Sequence, residues 1–293
     1  QTVEYTNKEN YNAAGWYRTR LGLSSKRPIF HINEFLYTTK QGVTNNQFSY
    51  VDPNNREEQK EKEMACTRHL RETGGLLESS FKQVDFNVEP FEYEASIIIP
   101  VRNRVKTISD ALQSALRQQT EFKYNVIVVD NHSTDGTTEL VREFAEKDER
   151  LLLLTPERRD LNIGGCWNLA IDHPLCGKFA VQLDSDDKYQ TDKTLQTIVN
   201  TFYKMQCPMI VGSYTITDFN FNPIPPGVID HREWTEHNGR NNALRINGLG
   251  APRAFFTPVL QQLQLPNTSY GEDYALGLMI SRRYRIGRIY DEV

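Results

Sequence analysis

The sequence predicts a doubly wound α/β fold with a mostly parallel central sheet, an N-terminal extension and an irregular C-terminal region. Two observations indicate this class. Short apolar runs alternate with segments of helical periodicity between residues 93 and 219, and such alternation is typical of βαβ units with parallel strands. The runs are almost continuously apolar, as in Ala95–Val101, which is the pattern of strands that are buried on both faces of a sheet.

The composition is that of a globular protein and excludes several classes of partner. Charged residues make up 25% of the 293 residues and hydrophobic residues 38%, which is ordinary for a folded domain. The net charge is −4, so no basic field draws the chain to nucleic acid or to an anionic membrane. The four cysteines show no CxxC spacing, and no run of about 18 apolar residues is present. We therefore expect a cytoplasmic protein with reduced thiols and no nucleic-acid partner.

Residues 1–92 are predicted to form the N-terminal extension. The sequence favours a short helix within Glu9–Gly22 and a strand at Pro28–Thr39. A polar connector at Gln41–Asn55 then leads to a charged helix over Arg56–Leu77, whose end is signalled by Gly74-Gly75. Because residues 1–40 are far in sequence from the alternating pattern, we expect them to pack as a separate element outside the central sheet.

One internal similarity bears on this extension. Glu9-Asn10-Tyr11 and Glu272-Asp273-Tyr274 are each followed by a helical segment and a strand-like run. The similarity is either chance or a sign that residues 1–40 are the tail of a preceding, related domain in a tandem protein.

The alternating part of the chain has predictable elements. Its strands are expected at Ala95–Val101, Asn125–Asp130 and Arg150–Thr155, in the run from Phe179 into Asp184, and at Met209–Ile216. Its helices are expected over Val105–Leu116 and at Thr137–Lys147, Gly164–Ile171 and Asp192–Met205. Beyond Asn220 the sequence becomes rich in Pro and Asn and predicts loops, followed by a last helix over Asp273–Arg283.

The fourth strand runs directly into three carboxylates, Asp184, Asp186 and Asp187. Burying such groups is costly unless a cation gathers there, and ligands bind at the carboxyl ends of strands in open α/β sheets. The pattern therefore indicates a divalent metal site at this edge. The alternative is an acidic, solvated turn in which Asp187 or Asp192 caps the following helix.

Four segments together resemble a known family. IIIPVRNR, VIVVDNHSTDGT, LNIGG and VQLDSDD occur in order within Ala95–Tyr189, and they resemble the nucleotide-binding half of family 2 glycosyltransferases with the Rossmann-like GT-A fold. The likeness continues to Gly271-Glu272-Asp273. It implies an inverting glycosyltransferase that uses Mn²⁺ or Mg²⁺. Such an enzyme moves a hexosyl or N-acetylhexosaminyl group from a nucleotide sugar, most plausibly UDP-linked, to a hydroxyl of a glycan acceptor.

The resemblance also implies site residues. Asp186 would ligate the metal, and Asp184 would lie beside it and near the ribose. Nucleotide contacts are implied for Pro100, Arg102, Asp130, Asn131 and Gly164. The chain departs from the family where Arg102 replaces a common aromatic residue and where Asn131 replaces a second acid. Arg158 and Arg159 are further candidates for the diphosphate.

Asp273 matches the family's general base, which takes the proton of the acceptor hydroxyl. The alternative is that Glu272 and Asp273 only favour the positive end of a helix. The resemblance assigns residues 93–219 to nucleotide-sugar binding and residues 220–293 to the acceptor and the base. Trp234, His237 and Arg240 lie in this acceptor region.

Other classes of protein remain as alternatives. A nucleotidyltransferase would need a Gly-rich loop after the first strand, and PVRNRVKT contains no glycine. A non-catalytic nucleotide-sugar-binding module of a larger polysaccharide-synthesis protein would be favoured by loss of the carboxylates, and here all are present. Peripheral membrane association, if the full protein has it, is expected through other parts of that protein. Gly248-Leu249-Gly250 is excluded as a dinucleotide site, because Arg253 stands where a third glycine is required.

Overall fold

The computed structural model describes residues 11–38, 56–88 and 90–292. These residues fall into two compact units. The first draws on residues 1–79 and 216–248, and the second on residues 80–215 and 249–293. The predicted functional division after residue 92 stays a prediction. None of the described helices is long and apolar enough to cross a bilayer.

The second unit contains the central sheet. Its strand order is β3-β2-β1-β4-β7-β5, and β8 pairs with β5. The pairs among β1 to β4 are parallel, whereas β7 is antiparallel to both β4 and β5. The strands are β1 (Ala95–Val101), β2 (Tyr124–Asp130), β3 (Leu151–Leu154), β4 (Phe179–Gln182), β5 (Met209–Thr217), β6 (Pro223–Ile229), β7 (Arg253–Phe256) and β8 (Ile286–Glu292).

From β1 to β5 the helices alternate with the strands, as the sequence predicts. The helices are α1 (Gly15–Ser24), α2 (Arg56–Thr73), α3 (Ile108–Leu116), α4 (Thr137–Ala145), α5 (Ile163–Ile171), α6 (Thr194–Met205), α7 (Gly239–Asn242), α8 (Thr257–Leu263) and α9 (Glu272–Ser281). The helices α3 and α6 bury their apolar positions at helical spacing, for example Ile108, Leu112 and Ala115 on α3, because those positions share one helix face.

The strand order changes direction between β1 and β4. From β1 the chain continues outward to β2 and β3 on one side, and β4 is added on the other side. At such a switch point the loops leave the two strands in opposite directions, so a crevice opens outside their carboxyl ends. The residues after Val101 and after Gln182 therefore face one crevice.

The amino end of β4 is fixed by aromatic packing. Phe179 stacks on Phe202 with ring centroids 4.3 Å apart, and Phe86 meets Phe256 edge-on at 4.9 Å. Such contacts add to the stabilisation from apolar burial. The apolar cluster thus anchors one end of β4, and the polar crevice lies at the other.

One predicted strand is wrong. Residues 28–38 form no strand, because their apolar side chains remain in solvent and gain nothing from pairing. Phe30 is 82% exposed and Ile29 75%. Thr39, the connector Gln41–Asn55 and residues 1–10 lie outside the described residues.

Some boundaries and C-terminal elements also differ from the expectation. The helix expected to reach Leu77 ends at Thr73, since Gly74 adopts a left-handed φ of 73°. The loops expected after Asn220 include β6, β7 and α8. The sequence pattern did not predict these strands because prolines interrupt β6 and because β7 has only 4 residues.

Candidate active site

A cavity of about 410 Å³ opens at the carboxyl ends of β1 and β4. Its lining comes from the second unit alone. Predicted site residues that line it are Pro100, Arg102, Asn131, Asp184, Asp186 and Asp273. The fold therefore brings together groups that are separated by up to 173 residues in sequence, from Pro100 to Asp273.

The acidic turn after β4 has one enclosed and one accessible carboxylate. Asp184 Oδ1 accepts a hydrogen bond of 2.8 Å from Gln182 Nε2. Burial raises the pKa of Asp184, and repulsion from Asp186 and Asp273 adds to this, whereas the Gln182 hydrogen bond and the Arg253 cation oppose it. The Asp186 side chain is 50% exposed and lies 3.6 Å from Arg104 Nε. Asp186 is thus the more accessible ligand for a cation.

The alternative interpretation of this turn as a helix cap does not fit. The helix α6 begins at Thr194 after Lys193 and has no side-chain cap. Asp192 instead accepts a 2.7 Å hydrogen bond from Gln119 Nε2. The carboxylates of the turn are therefore not used to start α6.

The two residues at the end of β2 have different surroundings. Asp130 is buried, and its carboxylate accepts hydrogen bonds from the Ser133 N–H at 3.0 Å and from the Thr138 hydroxyl. It shapes the turn after β2 and is not part of the cavity lining. Asn131 does line the cavity, and its Nδ2 donates to the Leu161 carbonyl oxygen at 2.7 Å. A nucleotide contact from Asp130 stays a prediction, which this arrangement does not favour.

Gly164 serves packing in this structure. Its N–H donates to the Thr268 carbonyl oxygen at 3.0 Å, so that N–H is not presented to a ligand. A Cβ at this position would lie 1.9 Å from the Pro266 carbonyl oxygen. The glycine lets the start of α5 approach residues 266–268. A nucleotide contact from Gly164 stays a prediction, which this arrangement does not favour.

Asp273, the candidate base, pairs with Arg253, a residue for which the sequence motifs indicated no role in the site. Arg253 NH2 lies 2.6 Å from Asp273 Oδ2, and Asp273 Oδ1 accepts from the Tyr274 N–H at 2.6 Å. Arg253 Nε donates to Gln182 Oε1 at 2.8 Å. We call the resulting series Asp184–Gln182–Arg253–Asp273 the polar chain. It joins the acidic turn to the candidate base.

Glu272, next to Asp273, has no such partner. Its Oε2 is buried without a hydrogen-bond partner among the described residues. Burial raises the pKa of Glu272, and repulsion from Asp273 adds to this, while Arg253 opposes it. Two adjacent carboxyl groups thus have different environments, which is a common way to separate the roles of two acids.

The acidic residues fit a divalent cation that a substrate helps to bind. The described residues contain no group of 3 or more His, Cys, Asp or Glu side chains that could hold a metal alone. Mg²⁺ commonly takes one or two carboxylates and completes its shell with water and substrate phosphates. Asp184 and Asp186 at a cavity edge provide such a donor set.

Sequence reasoning missed several cavity residues. Arg104, Gln182 and Arg253 are polar members of the lining. Trp167 and Phe255, with ring centroids 6.1 Å apart, form an apolar part of it. Gln182 within an apolar strand and the lone arginine of APRAFF were usable signals, because polar groups in buried strands need partners. Arg158, by contrast, pairs with Asp160 at 2.6 Å outside the cavity.

This architecture, with carboxylates at the switch point of a mostly parallel sheet, is the GT-A class of α/β fold. Residues 96–257 match the sequence profile described as Glycosyl transferase family 2. The chain belongs to this family, whose named members are glycosyltransferase enzymes.

Two relatives cover most of the central region. The chain is 32% identical over 202 residues, or 68% of its length and 74% of the relative, to the Escherichia coli UDP-Glc:alpha-D-GlcNAc-diphosphoundecaprenol beta-1,3-glucosyltransferase WfgD. It is 25% identical over 189 residues, or 64% of its length and 72% of the relative, to the putative teichuronic acid biosynthesis glycosyltransferase TuaG of Bacillus subtilis.

Solved structures show the same fold. TarS from S. aureus matches with a TM-score of 0.54 and 22% identity, over 68% of this chain and 59% of TarS 1-349. The mannosyltransferase PcManGT from Pyrobaculum calidifontis, in complex with GDP-Man and Mn²⁺, matches with a TM-score of 0.51 and 19% identity, over 82% of this chain and 66% of that one. The chain thus spans less than two thirds of either solved structure.

The packing at Gly164 gives a testable prediction. Gly164→Ala should lower the free energy of unfolding by about 2–4 kcal/mol, because the added methyl meets backbone rather than a flexible side chain. Urea unfolding followed by circular dichroism measures this. Gly15→Ala is the matched control, since Gly15 also lies in the first turn of a helix and its Cβ would meet nothing within 4 Å. Equal stability of Gly164→Ala and wild type would contradict the packing role.

Proposed function

We propose that the chain is an inverting glycosyltransferase that moves a hexosyl or N-acetylhexosaminyl group from a UDP sugar to a hydroxyl of a glycan acceptor. The observation that carries this proposal is the cavity, which gathers two carboxylates suited to a metal and a third carboxylate held by an arginine. The cavity contains a candidate residue for each step of the reaction.

The donor nucleotide is proposed to bind at the carboxyl end of β1. Pro100, Arg102 and Asn131 line this part of the cavity. A guanidinium can stack on a base, and an amide oxygen can accept from a base N–H. The printed name of WfgD includes UDP-Glc, and TarS is described in complex with UDP and with UDP-GlcNAc. These relatives support uridine for this chain, although PcManGT is described with GDP-Man.

Asp186 and Asp184 would hold Mn²⁺ or Mg²⁺ together with the diphosphate. When bound, such an ion acts as a Lewis acid for the leaving group. Arg104 lies 3.6 Å from Asp186 and supplies a second positive charge at this edge of the cavity. Because negative charge builds on the diphosphate as the bond to the sugar breaks, both charges favour departure.

Asp273 is proposed as the general base. It takes the proton of the acceptor hydroxyl while that oxygen attacks the anomeric carbon, and the nucleoside diphosphate leaves from the opposite face. This single displacement inverts the anomeric configuration. Asp273 suits the role better than Glu272, because its side chain is 31% exposed and paired with a cation, whereas Glu272 Oε2 is buried without a partner.

The other functional classes fit less well. The segment after β1, residues 102–107, contains no glycine to wrap the triphosphate that a nucleotidyltransferase uses. A non-catalytic module has no need of Asp273 and its arginine, and both are present. We place the reaction in the cytoplasm. Four buried free cysteines support this location. Peripheral membrane association, or a tandem domain, would be a property of a longer protein.

The metal assignment predicts the behaviour of Asp186→Ala. In a thermal-shift assay, UDP with Mn²⁺ should stabilise the wild type by mass action, and Asp186→Ala should lose the Mn²⁺-dependent part of the shift. Its melting temperature without ligand should change little, because the side chain is 50% exposed. Asp110→Ala, on an exposed position of α3, is the control and should behave as wild type. Equal shifts in Asp186→Ala and wild type would refute the assignment.

The base assignment predicts a separation of turnover from donor binding. Asp273→Asn keeps the shape of the side chain and removes its basicity, so transfer should fall by on the order of 10² or more. The affinity for UDP with Mn²⁺ should stay within a few-fold of wild type. The assay measures UDP release. Its substrates are the UDP-hexose or UDP-N-acetylhexosamine and the glycoside that support wild-type turnover in a screen. Asp110→Asn is the control. Full turnover in Asp273→Asn would rule Asp273 out as the base.

A further inference from the structure

We infer that Arg253 is a positioning residue for catalysis, which acts on the acceptor step through Asp273. The inference rests on the proposed role of Asp273 as the base. It assigns a function to a residue outside every motif that the sequence analysis connected with chemistry.

The first support is the rigidity of the element that carries Arg253. Arg253 opens β7, which is hydrogen-bonded to β4 on one side and to β5 on the other. Its side chain is only 9% exposed. A strand enclosed on both sides has little freedom to shift, so the guanidinium starts from a fixed backbone position.

The second support is that the guanidinium is held at all three nitrogens. Nε donates to Gln182 Oε1 at 2.8 Å, NH1 donates to the Leu249 carbonyl oxygen at 3.0 Å, and NH2 lies 2.6 Å from Asp273 Oδ2. The first two contacts fix the plane of the group, because a guanidinium has a rigid, planar arrangement of donors. The third then fixes where Asp273 Oδ2 lies.

The third support is that Arg253 pairs with Asp273 and not with the adjacent Glu272. Arg253 pairs with Asp273, which remains 31% exposed and lines the cavity. The adjacent Glu272 Oε2 stays without a partner. A contact that served only to neutralise buried charge would be expected at the more buried acid. The contact is instead made with the more accessible acid, Asp273, as expected if Arg253 positions that carboxylate.

Gln182 extends this arrangement to the donor side. It accepts from Arg253 through Oε1 and donates to Asp184 Oδ1 through Nε2, at 2.8 Å each. The position of the base is therefore fixed relative to the acidic turn. An inverting displacement requires such a fixed relation, because the attacking hydroxyl and the leaving diphosphate must lie on opposite faces of the sugar.

A double-mutant cycle tests the inference. Arg253→Met keeps most of the length of the side chain and removes the cation and its donors. Turnover should fall roughly 10–100-fold, the range expected when a charge-assisted contact is lost, while the affinity for UDP with Mn²⁺ stays within a few-fold of wild type. Asp273→Asn/Arg253→Met should be no slower than Asp273→Asn alone, because Arg253 acts through Asp273.

Two further variants guard against a fold defect. Arg253→Lys retains a cation but lacks the rigid, planar arrangement of donors of the guanidinium. It should therefore recover only part of the turnover that is lost in Arg253→Met. If Arg253→Met does not fold at the assay temperature, Arg253→Lys takes its place in the cycle and should show a smaller loss that also vanishes in the Asp273→Asn background. Arg282→Met is the matched control, since Arg282 is exposed at the end of α9.

The outcomes separate the inference from the proposed function. If the losses from Asp273→Asn and Arg253→Met multiply in the double variant, or if Arg253→Met keeps full turnover, the inference is overturned while the base assignment stands. If Asp273→Asn itself keeps full turnover, the base assignment fails and the inference fails with it. A loss of UDP affinity in Arg253→Met equal to its loss of turnover would place Arg253 in donor binding and would also overturn the inference.

Discussion

The contact between Arg253 and Asp273 is the interaction on which the proposed acceptor side of the site depends. Four carboxyl groups, from Asp184, Asp186, Glu272 and Asp273, line one cavity together with a single deeply buried cation. Burial and mutual repulsion raise the pKa of Asp184 and of Glu272, and the Arg253 cation opposes this. A buried ion pair is weak evidence for stability in itself. Its value here is that it fixes one carboxylate, still open to the cavity, in a defined place.

The fold explains how this contact arises. The parallel strands β1 and β4 deliver the nucleotide side of the site at a switch point, and aromatic packing around Phe179 anchors the opposite end of β4. The antiparallel strand β7 lies directly beside β4, so that Arg253 reaches both Gln182 and Asp273. In a purely parallel sheet, the position beside β4 would be taken by the parallel strand of another βαβ unit. The antiparallel strand β7 therefore connects the proposed base to the proposed donor side.

The sequence predicted the parallel strands and the acidic turn because each is encoded locally, by an apolar run such as Ala95–Val101 or by its junction with carboxylates. Asp273 was recognised through a family motif and not through any physical pattern. Arg253 could not be placed, since its role depends on the pairing of β7 with β4, and a 4-residue strand leaves no periodic signal. Asp130 and Gly164 match family positions and also make local contacts, with Thr138 and beside Pro266, that the sequence did not predict; their contacts with the nucleotide stay predictions. The strand expected at residues 28–39 failed because pattern alone does not reveal whether a partner will cover it.

The most direct test of the account is a crystal structure of the protein with UDP and Mn²⁺. We expect the uracil to lie against Pro100 and Asn131, and the metal to be bound by Asp186 and the diphosphate. We also expect Arg253 still to hold Asp273 at hydrogen-bond distance beside the cavity. A diphosphate bound by Arg253 in place of Asp273, or a nucleotide bound outside this cavity, would contradict the central claim that one rigid polar chain fixes the base relative to the donor.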